Sequence, residues 1–386
     1  MGEEPETRTD LQMKKELSIV FTGDINFDRH MASKWKDEEL LSEDIKEFLL
    51  SADHVAADIE GSFSLHENKP ADEVTQFTLR QMDYGAAEYL WKIGADIWNI
   101  NNNHITDFGE NGIRGTIDAA KHVGAITVGA GMNDKEAAEP LFFDDAGGIG
   151  LFSVGYRPGC KPAGPEKAGC LLWNDTDTIR RNIERIKKSC RWCVIIVHGG
   201  EEFTTLPSPY TRDRYLSYLE MGADIVVAHH PHVVNNYELF PGKAIFYSIG
   251  NFIFDTNYMR SQEGTDKGLL LKISFTENDY TFTYLATKLL YETERIVSDH
   301  APEIFRDIQQ EEYERLIPFA AARFIEATKR QQIYLDPGKF ECYTEEDWKD
   351  HFMDPDRLYR MPGETLDFTV IYPLACGSVN HVSKPR

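Results

Sequence analysis

Short apolar runs recur along this chain, and five of them stop abruptly at polar residues of one chemical kind. Residues 17–22 (LSIVFT) lead into Gly23, Asp24 and Asn26, and residues 55–57 (VAA) lead into Asp58 and Glu60. Residues 96–100 (DIWNI) open into Asn101, Asn102, Asn103 and His104. Residues 192–197 (WCVIIV) end at His198, ahead of Glu201 and Glu202, and residues 224–228 (DIVVA) deliver His229, His230 and His232. Runs this short and this continuous predict parallel strands buried on both faces. Helical spacing between them predicts helices over 36–50, 84–93, 112–122, 175–189 and 210–221. Strand alternating with helix is the signature of an α/β fold with a mainly parallel sheet.

Residues 1–15 read as a polar tail, and residues 16–290 as the main domain. Residues 157–169, rich in Gly, Pro and Lys, are a loop placed to overhang a site. Residues 268–275 and 280–290 predict an antiparallel hairpin, with Glu277, Asn278 and Asp279 at its turn. The remainder, 291–386, predicts a helical and irregular extension packed on the domain, with helices over 301–316 and 319–331 and no clean period after Asp336.

In open α/β sheets, ligands bind outside the carboxyl ends of the strands. Five strand ends carrying Asp, Glu, Asn and His therefore predict one convergent site. Crowded histidines repel one another when protonated, and imidazole is a common ligand for transition metals. A bound cation resolves the conflict. Asp58 and Glu60 share one strand face, because side chains alternate with period two. Glu201 and Glu202 are either a ligand and a bystander or both solvated. Ser248 and Asn251 flank a tight turn at Gly250 that lines the pocket. Cysteine is absent from all these positions, which excludes a thiolate site and leaves Mn, Fe, Zn or Mg held by nitrogen and oxygen.

Taken in chain order, Gly23-Asp24, Asp58-x-Glu60, Asn102-Asn103-His104 with Asp107, His198 with Glu202, His229-His230-x-His232, and Ser248 to Asn251 resemble the CapA family of capsule and poly-γ-glutamate biosynthesis. That family is related to the calcineurin-like metallophosphoesterases, and the resemblance covers residues 16–256. It implies a four-layer metallophosphatase-like sandwich, two β-sheets flanked by helices, with a centre for two divalent metal ions at the sheet edge. The metal-ligand positions then fall on Asp24, Asn26, Asp58, Glu60, Asn103, His198, His232 and one of His229 and His230. Glu60 matches the bridging carboxylate. His104 matches the imidazole that acts as acid or charge stabiliser, oriented by Asp107, while Glu202, Ser248 and Asn251 line the substrate pocket. Asn26 departs from the wider superfamily, which places histidine there; an amide oxygen is the weaker ligand.

Composition narrows the partners. A net charge of −23 argues against nucleic acid, whose binding needs clustered Lys and Arg. It favours a small anionic substrate or polymer precursor, docked on the metals, over a long polyanion. No apolar run approaches the roughly 20 residues of a membrane span, and residues 1–10 are polar and acidic, so the expected location is the cytoplasm. The six cysteines are scattered, and Cys190 and Cys193 form a solitary C-x-x-C, the pattern of core or helix-end thiols. Two functions fit. One is a metal-dependent hydrolase of a phosphoester or other anionic bond, favoured by Asn103 and His104; the other is a metal-anchored scaffold of a polymer-synthesis complex, favoured by Asn26.

Overall fold

The computed structural model describes residues 15–63, 80–156, 159–335 and 352. The expected tail, the start of the 157–169 loop and the aperiodic end beyond residue 335, Phe352 apart, lie outside those residues.

Two large sheets carry the architecture. In the first, the parallel strands Glu16–Ile25, His54–Ile59, Ala95–Asn99 and Ile126–Val128 lie side by side in that order. On the other flank of Glu16–Ile25 run Lys267–Thr276, Tyr280–Leu290 and Arg295–Asp299, each antiparallel to its neighbour. The short strand Asn251–Ile253 pairs parallel with the end of Glu16–Ile25. The second sheet orders Tyr237–Phe240, Lys243–Phe246, Ile225–His229, Trp192–His198, Ile149–Gly155 and Leu141–Phe143, with its four central strands parallel.

The apolar clusters define the layers. Leu17, Ile19, Phe21 and Ala56 of the first sheet meet Trp192, Val194, Ile196 and Val227 of the second in a shared core. The alternate residues of the same strands face outward. Val20, Val55, Ala57 and Ile59 pack with Ile45, Leu90 and Ile113 on one side, and Cys193, Ile195 and Val197 pack with Ile183 and Tyr218 on the other. Helix, sheet, sheet and helix thus stack as the expected four-layer sandwich. This is why the strands read as unbroken apolar runs: period two supplies both cores at once. Truncating a buried isoleucine such as Ile196 to Ala costs about 2–5 kcal/mol in such an interior.

Helices form at Glu43–Leu50, Gly85–Lys92, Gly109–Val123, Asp134–Ala138, Thr176–Lys187, Pro209–Met221, Asn257–Arg260 and Gln310–Leu335. Local chemistry sets several ends. Asp175 accepts from the Thr178 amide, Ser208 accepts from the Thr211 amide ahead of Pro209, and Gly222 closes its helix at φ 116°.

Two expectations are corrected. The helix expected over 36–50 begins only at Glu43, because residues 34–36 form a separate 3-10 turn. The two helices expected around Pro318 are one, Gln310–Leu335. Its Tyr313, Ala320, Ala321 and Phe324 bury a single face with Leu206, and that packing outweighs the amide missing at proline. The helix starts later than residue 301 because the preceding segment is held against Tyr237, whose amide donates to Arg306 O and whose carbonyl accepts from Ile308. No helix among the described residues is long and apolar enough to cross a membrane. Cys160, Cys170, Cys190 and Cys193 are free thiols.

Candidate metal centre

Sheet register brings the strand ends together. Asp24 lies opposite Asn251 on one side and Asp58 on the other, and Asp58 lies opposite Asn99. In the second sheet His198 lies opposite His229. Glycine at position 23 makes the first of these pairings possible. A Cβ there would sit 2.3 Å from the Gly250 carbonyl oxygen, the same oxygen that accepts the Asp24 amide at 3.0 Å.

Two triads of ligand-type atoms result: Asp24, Asp58 and His198 form one, and Asp24, Glu60 and His232 the other, with the atoms of each within 4.8 Å of one another and every residue buried. Asp24 belongs to both. Asp24 is thus the residue that the two groups share, while Glu60, which the resemblance casts as the bridging carboxylate, belongs to one of them. The donor set is carboxylate oxygen and imidazole nitrogen, suited to Mn, Fe, Zn or Mg.

The residues fit a cation on a physical test. Both carboxylate oxygens of Asp24, both of Glu60, and Nδ1 of His229 and of His230 are buried without a well-formed hydrogen bond, although His232 and His229 stand 3.1 and 3.4 Å from the Asp24 oxygens as ion-pair neighbours. A buried polar atom left unpaired costs about 1–3 kcal/mol, and more when charged. Divalent ions coordinated there would satisfy the carboxylates together.

The titration behaviour carries the same signature. Burial opposes ionisation of Asp24, but the imidazoles of His229 and His232 outweigh it and hold its carboxyl well below the usual range. Burial pushes the Glu60 carboxyl up. Burial also opposes the charge on His232, yet the Glu60 and Asp24 carboxylates raise that imidazole to about 10. His198 is raised against its burial by Asp58, while burial and the neighbouring His198 and His232 push His230 well below the ordinary value. The acidic cluster thus favours the protonated forms of His198 and His232.

The other expected residues sort by contact. His198 holds Asp58 Oδ2 at 3.1 Å through Nδ1 and Asn103 Oδ1 at 2.9 Å through Nε2. His104 Nδ1 meets Asp107 Oδ2 at 2.9 Å, and its Nε2 faces Glu60 Oε1 at 3.8 Å. Asp107 also accepts the Arg80 amide at 2.8 Å, which fixes it in place. His229 Nδ1 stands 3.4 Å from Asp24 Oδ1. His230 stacks on Tyr156 and turns Nε2 toward Glu202, 4.0 Å away. Asn251 Oδ1 reaches His232 Nδ1 at 2.9 Å.

Three of the expected residues stand apart from the ligand groups. Asn26 spends its amide on the main chain, donating to Glu60 O at 2.5 Å and accepting from the Asp28 amide at 2.8 Å. Ser248 shapes the turn, its Oγ accepting from the Gly250 amide at 3.2 Å. Glu202 approaches His230, with Oε1 4.0 Å from Nε2. Its neighbour Glu201 is bound to Ser208 and Thr211 at the start of helix Pro209–Met221. Of the three consecutive asparagines, Asn101 and Asn102 brace the main chain and Asn103 reaches the centre.

Sequence reasoning missed Asn99, which donates to Asp58, and the aromatic walls on His232: Phe203, stacked at 5.9 Å, and Phe254 at 4.8 Å. Asn99 carried a signal, a polar residue inside an apolar run. Phe203 carried none, because its loop has no periodicity.

The family described as "Bacterial capsule synthesis protein PGA_cap" matches residues 18–256, the span that contains both triads. The chain belongs to this family. It is 28% identical over 261 residues to the "Capsule biosynthesis protein CapA" of Bacillus anthracis, covering 64% of this chain and 62% of that protein. It is 27% identical over 252 residues to the "PGA biosynthesis protein CapA" of Bacillus subtilis strain 168, covering 64% of this chain and 66% of that protein. The match thus spans just under two thirds of each relative. Among solved structures, a hypothetical protein from Thermus thermophilus aligns with a TM-score of 0.41 at 12% identity, over 70% of this chain and 99% of that one. The 5'-nucleotidase of Candida albicans aligns with a TM-score of 0.40 at 11% identity, over 83% of this chain and 58% of that one.

Proposed function

We propose that this chain is a divalent-metal-dependent hydrolase of an anionic bond, a phosphoester first among them, acting on a small anionic precursor in capsule or poly-γ-glutamate metabolism. The observation that carries the reading is the pair of buried triads sharing Asp24, with His104 at their edge. Asp24, Asp58 and His198 would hold one ion; Asp24, Glu60 and His232 would hold the other. Divalent ions there would supply Lewis-acid stabilisation of the anionic group and lower the pKa of a nucleophilic water.

The chain's own groups do the rest. Asp107 engages His104 at Nδ1, so the imidazole presents Nε2 to the centre. As the imidazolium it would donate the Nε2 proton to a leaving oxygen and become neutral, or stabilise charge growing on that oxygen. Asp58 engages Nδ1 of His198 and Asn103 engages Nε2, so coordination by His198 would replace one of these contacts while the other holds the ring plane. Phe203 and Phe254 pack their rings against the imidazole of His232.

Asn26 favours a second reading, a metal-anchored binding protein in polymer synthesis. Its amide is committed to the main chain where the wider superfamily has an imidazole, which leaves that side of the centre one donor poorer.

Turnover of a panel of phosphomonoesters and phosphodiesters with Mn separates the two. For a hydrolase, one member is cleaved, and His104→Ala lowers its turnover by about 10²-fold or more with metal content unchanged. Full metal loading without cleavage of any member supports the binding reading instead.

A further inference from the structure

The helix Gln310–Leu335 lies beyond residues 18–256, the family's matched span, yet it reaches the metal centre. Arg323 is the link. Its Nε donates to the Phe203 carbonyl at 2.9 Å, while Nη2 donates to the Glu263 carbonyl at 2.9 Å and Nη1 meets Glu263 Oε2 at 3.2 Å. The same helix sends Tyr313 Oη to the Pro207 carbonyl at 3.0 Å and packs Tyr313, Ala320, Ala321 and Phe324 against Leu206. The loop from Glu201 to Ser208 is therefore held between this helix and the centre.

Phe203 sits at the contact point. It is buried and adopts φ 61°, a conformation an L side chain rarely takes. Both of its main-chain groups are tied across the gap. Its carbonyl accepts from Arg323, and its amide donates to the Pro231 carbonyl at 2.8 Å, in the turn between His230 and His232. Those two histidines also have positive φ, 93° and 57°. The Phe203 ring lies over the His232 imidazole at 5.9 Å and 22°, nearly parallel, and Tyr258 braces it from the edge at 5.3 Å. The ring thus limits rotation of the imidazole whose Nδ1 faces Asp24 at 3.1 Å and whose Nε2 faces Glu60 at 3.6 Å.

We infer that Arg323 is a positioning residue for the metal centre. Through Phe203 it sets the turn and ring plane of His232, so the helix beyond the family's span completes the site formed by Asp24, Glu60 and His232. This rests on the metal-centre reading, and its test is metal binding, not turnover.

Co²⁺ is titrated into the metal-free 386-residue chain, with visible absorption reporting ligand geometry and a competing chelator reporting affinity. Arg323→Ala is expected to weaken at least one of the two binding steps by about 10–100-fold, the usual effect of removing a group that orients a ligand, and to alter the Co²⁺ spectrum. Arg323→Lys restores part of the affinity, because one ammonium can serve the Phe203 carbonyl but not both carbonyls. Phe319→Ala, on the same helix at a position 71% exposed, leaves affinity and spectrum unchanged. Should Arg323→Ala not stay folded, Phe203→Leu keeps both main-chain bonds, removes the ring's contacts with His232 and Tyr258, and must shift the same two readouts. A helix that merely stabilises the fold would lower the unfolding midpoint while affinity and spectrum stay at wild type, and that result overturns the inference. Wild-type protein that takes up no Co²⁺ refutes the centre itself; variants that bind as wild type does refute only the helix's role.

Discussion

Oδ2 of Asp24 lies 3.1 Å from Nδ1 of His232, a contact that joins the end of the first sheet's central strand to the turn that follows the second sheet's Ile225–His229 strand. Because Asp24 also belongs with Asp58 and His198, it is the hinge of the whole centre. Substitutions there should be more damaging than at any single-site ligand. Metal content per folded chain should fall from two equivalents to none in Asp24→Asn, and from two to one in Asp58→Asn. Elemental analysis of both variants, with circular dichroism to verify folding, checks the difference. Equal metal content in the two variants would remove Asp24 from its shared position.

Metal binding should depend on pH with a definite sign. The folded-state pKa of His232 is raised to about 10, above its ordinary 6.5. Its interaction with the carboxylates therefore stabilises the metal-free protein fully below about pH 6.5, and that contribution is lost as pH rises toward 10. An ion needs the neutral imidazole, so binding must release the proton. Apparent affinity should rise across the same window, by about tenfold per pH unit for each proton released. Competition titrations with Mn at pH 6.5, 7.5 and 8.5 measure it; a flat profile would mean that His232 is not displaced from its proton.

Gly23 should tolerate no side chain. The Cβ of Gly23→Ala would meet the Gly250 carbonyl oxygen at 2.3 Å, and that atom is main chain with nowhere to move. Overpacking of this kind costs about 1–3 kcal/mol and should also displace Asp24. Denaturant unfolding reads the first effect and Mn titration of the folded protein the second. Wild-type values of both would show that the strand has slack there.

Much of this arrangement was legible in the sequence, and the reasons are physical. Period two in strands buried on both faces produces unbroken apolar runs, so Trp192–His198 and Ile225–His229 announced themselves, and with them the histidines at their ends. The hairpin of Lys267–Thr276 and Tyr280–Leu290 followed from its turn residues. What escaped depends on contacts between distant segments. Pro318 reads locally as a helix break, but the packing of Tyr313 and Phe324 around Leu206 carries the helix through it. Asn26 looks like a ligand by position, and only the fold reveals that the Glu60 carbonyl and the Asp28 amide occupy it. The shared place of Asp24 follows from three-dimensional distance, on which spacing along the chain is silent.

If these strand ends build a centre for two divalent ions, the purified protein itself should carry them. Elemental analysis of the 386-residue chain, expressed with Mn, Fe and Zn supplementation and purified without chelator, tests this most directly. The expected result is two equivalents of divalent metal per chain, removable by chelation and restored by titration. Folded protein that carries no metal and takes up none of Mn, Fe or Zn in titration would contradict it.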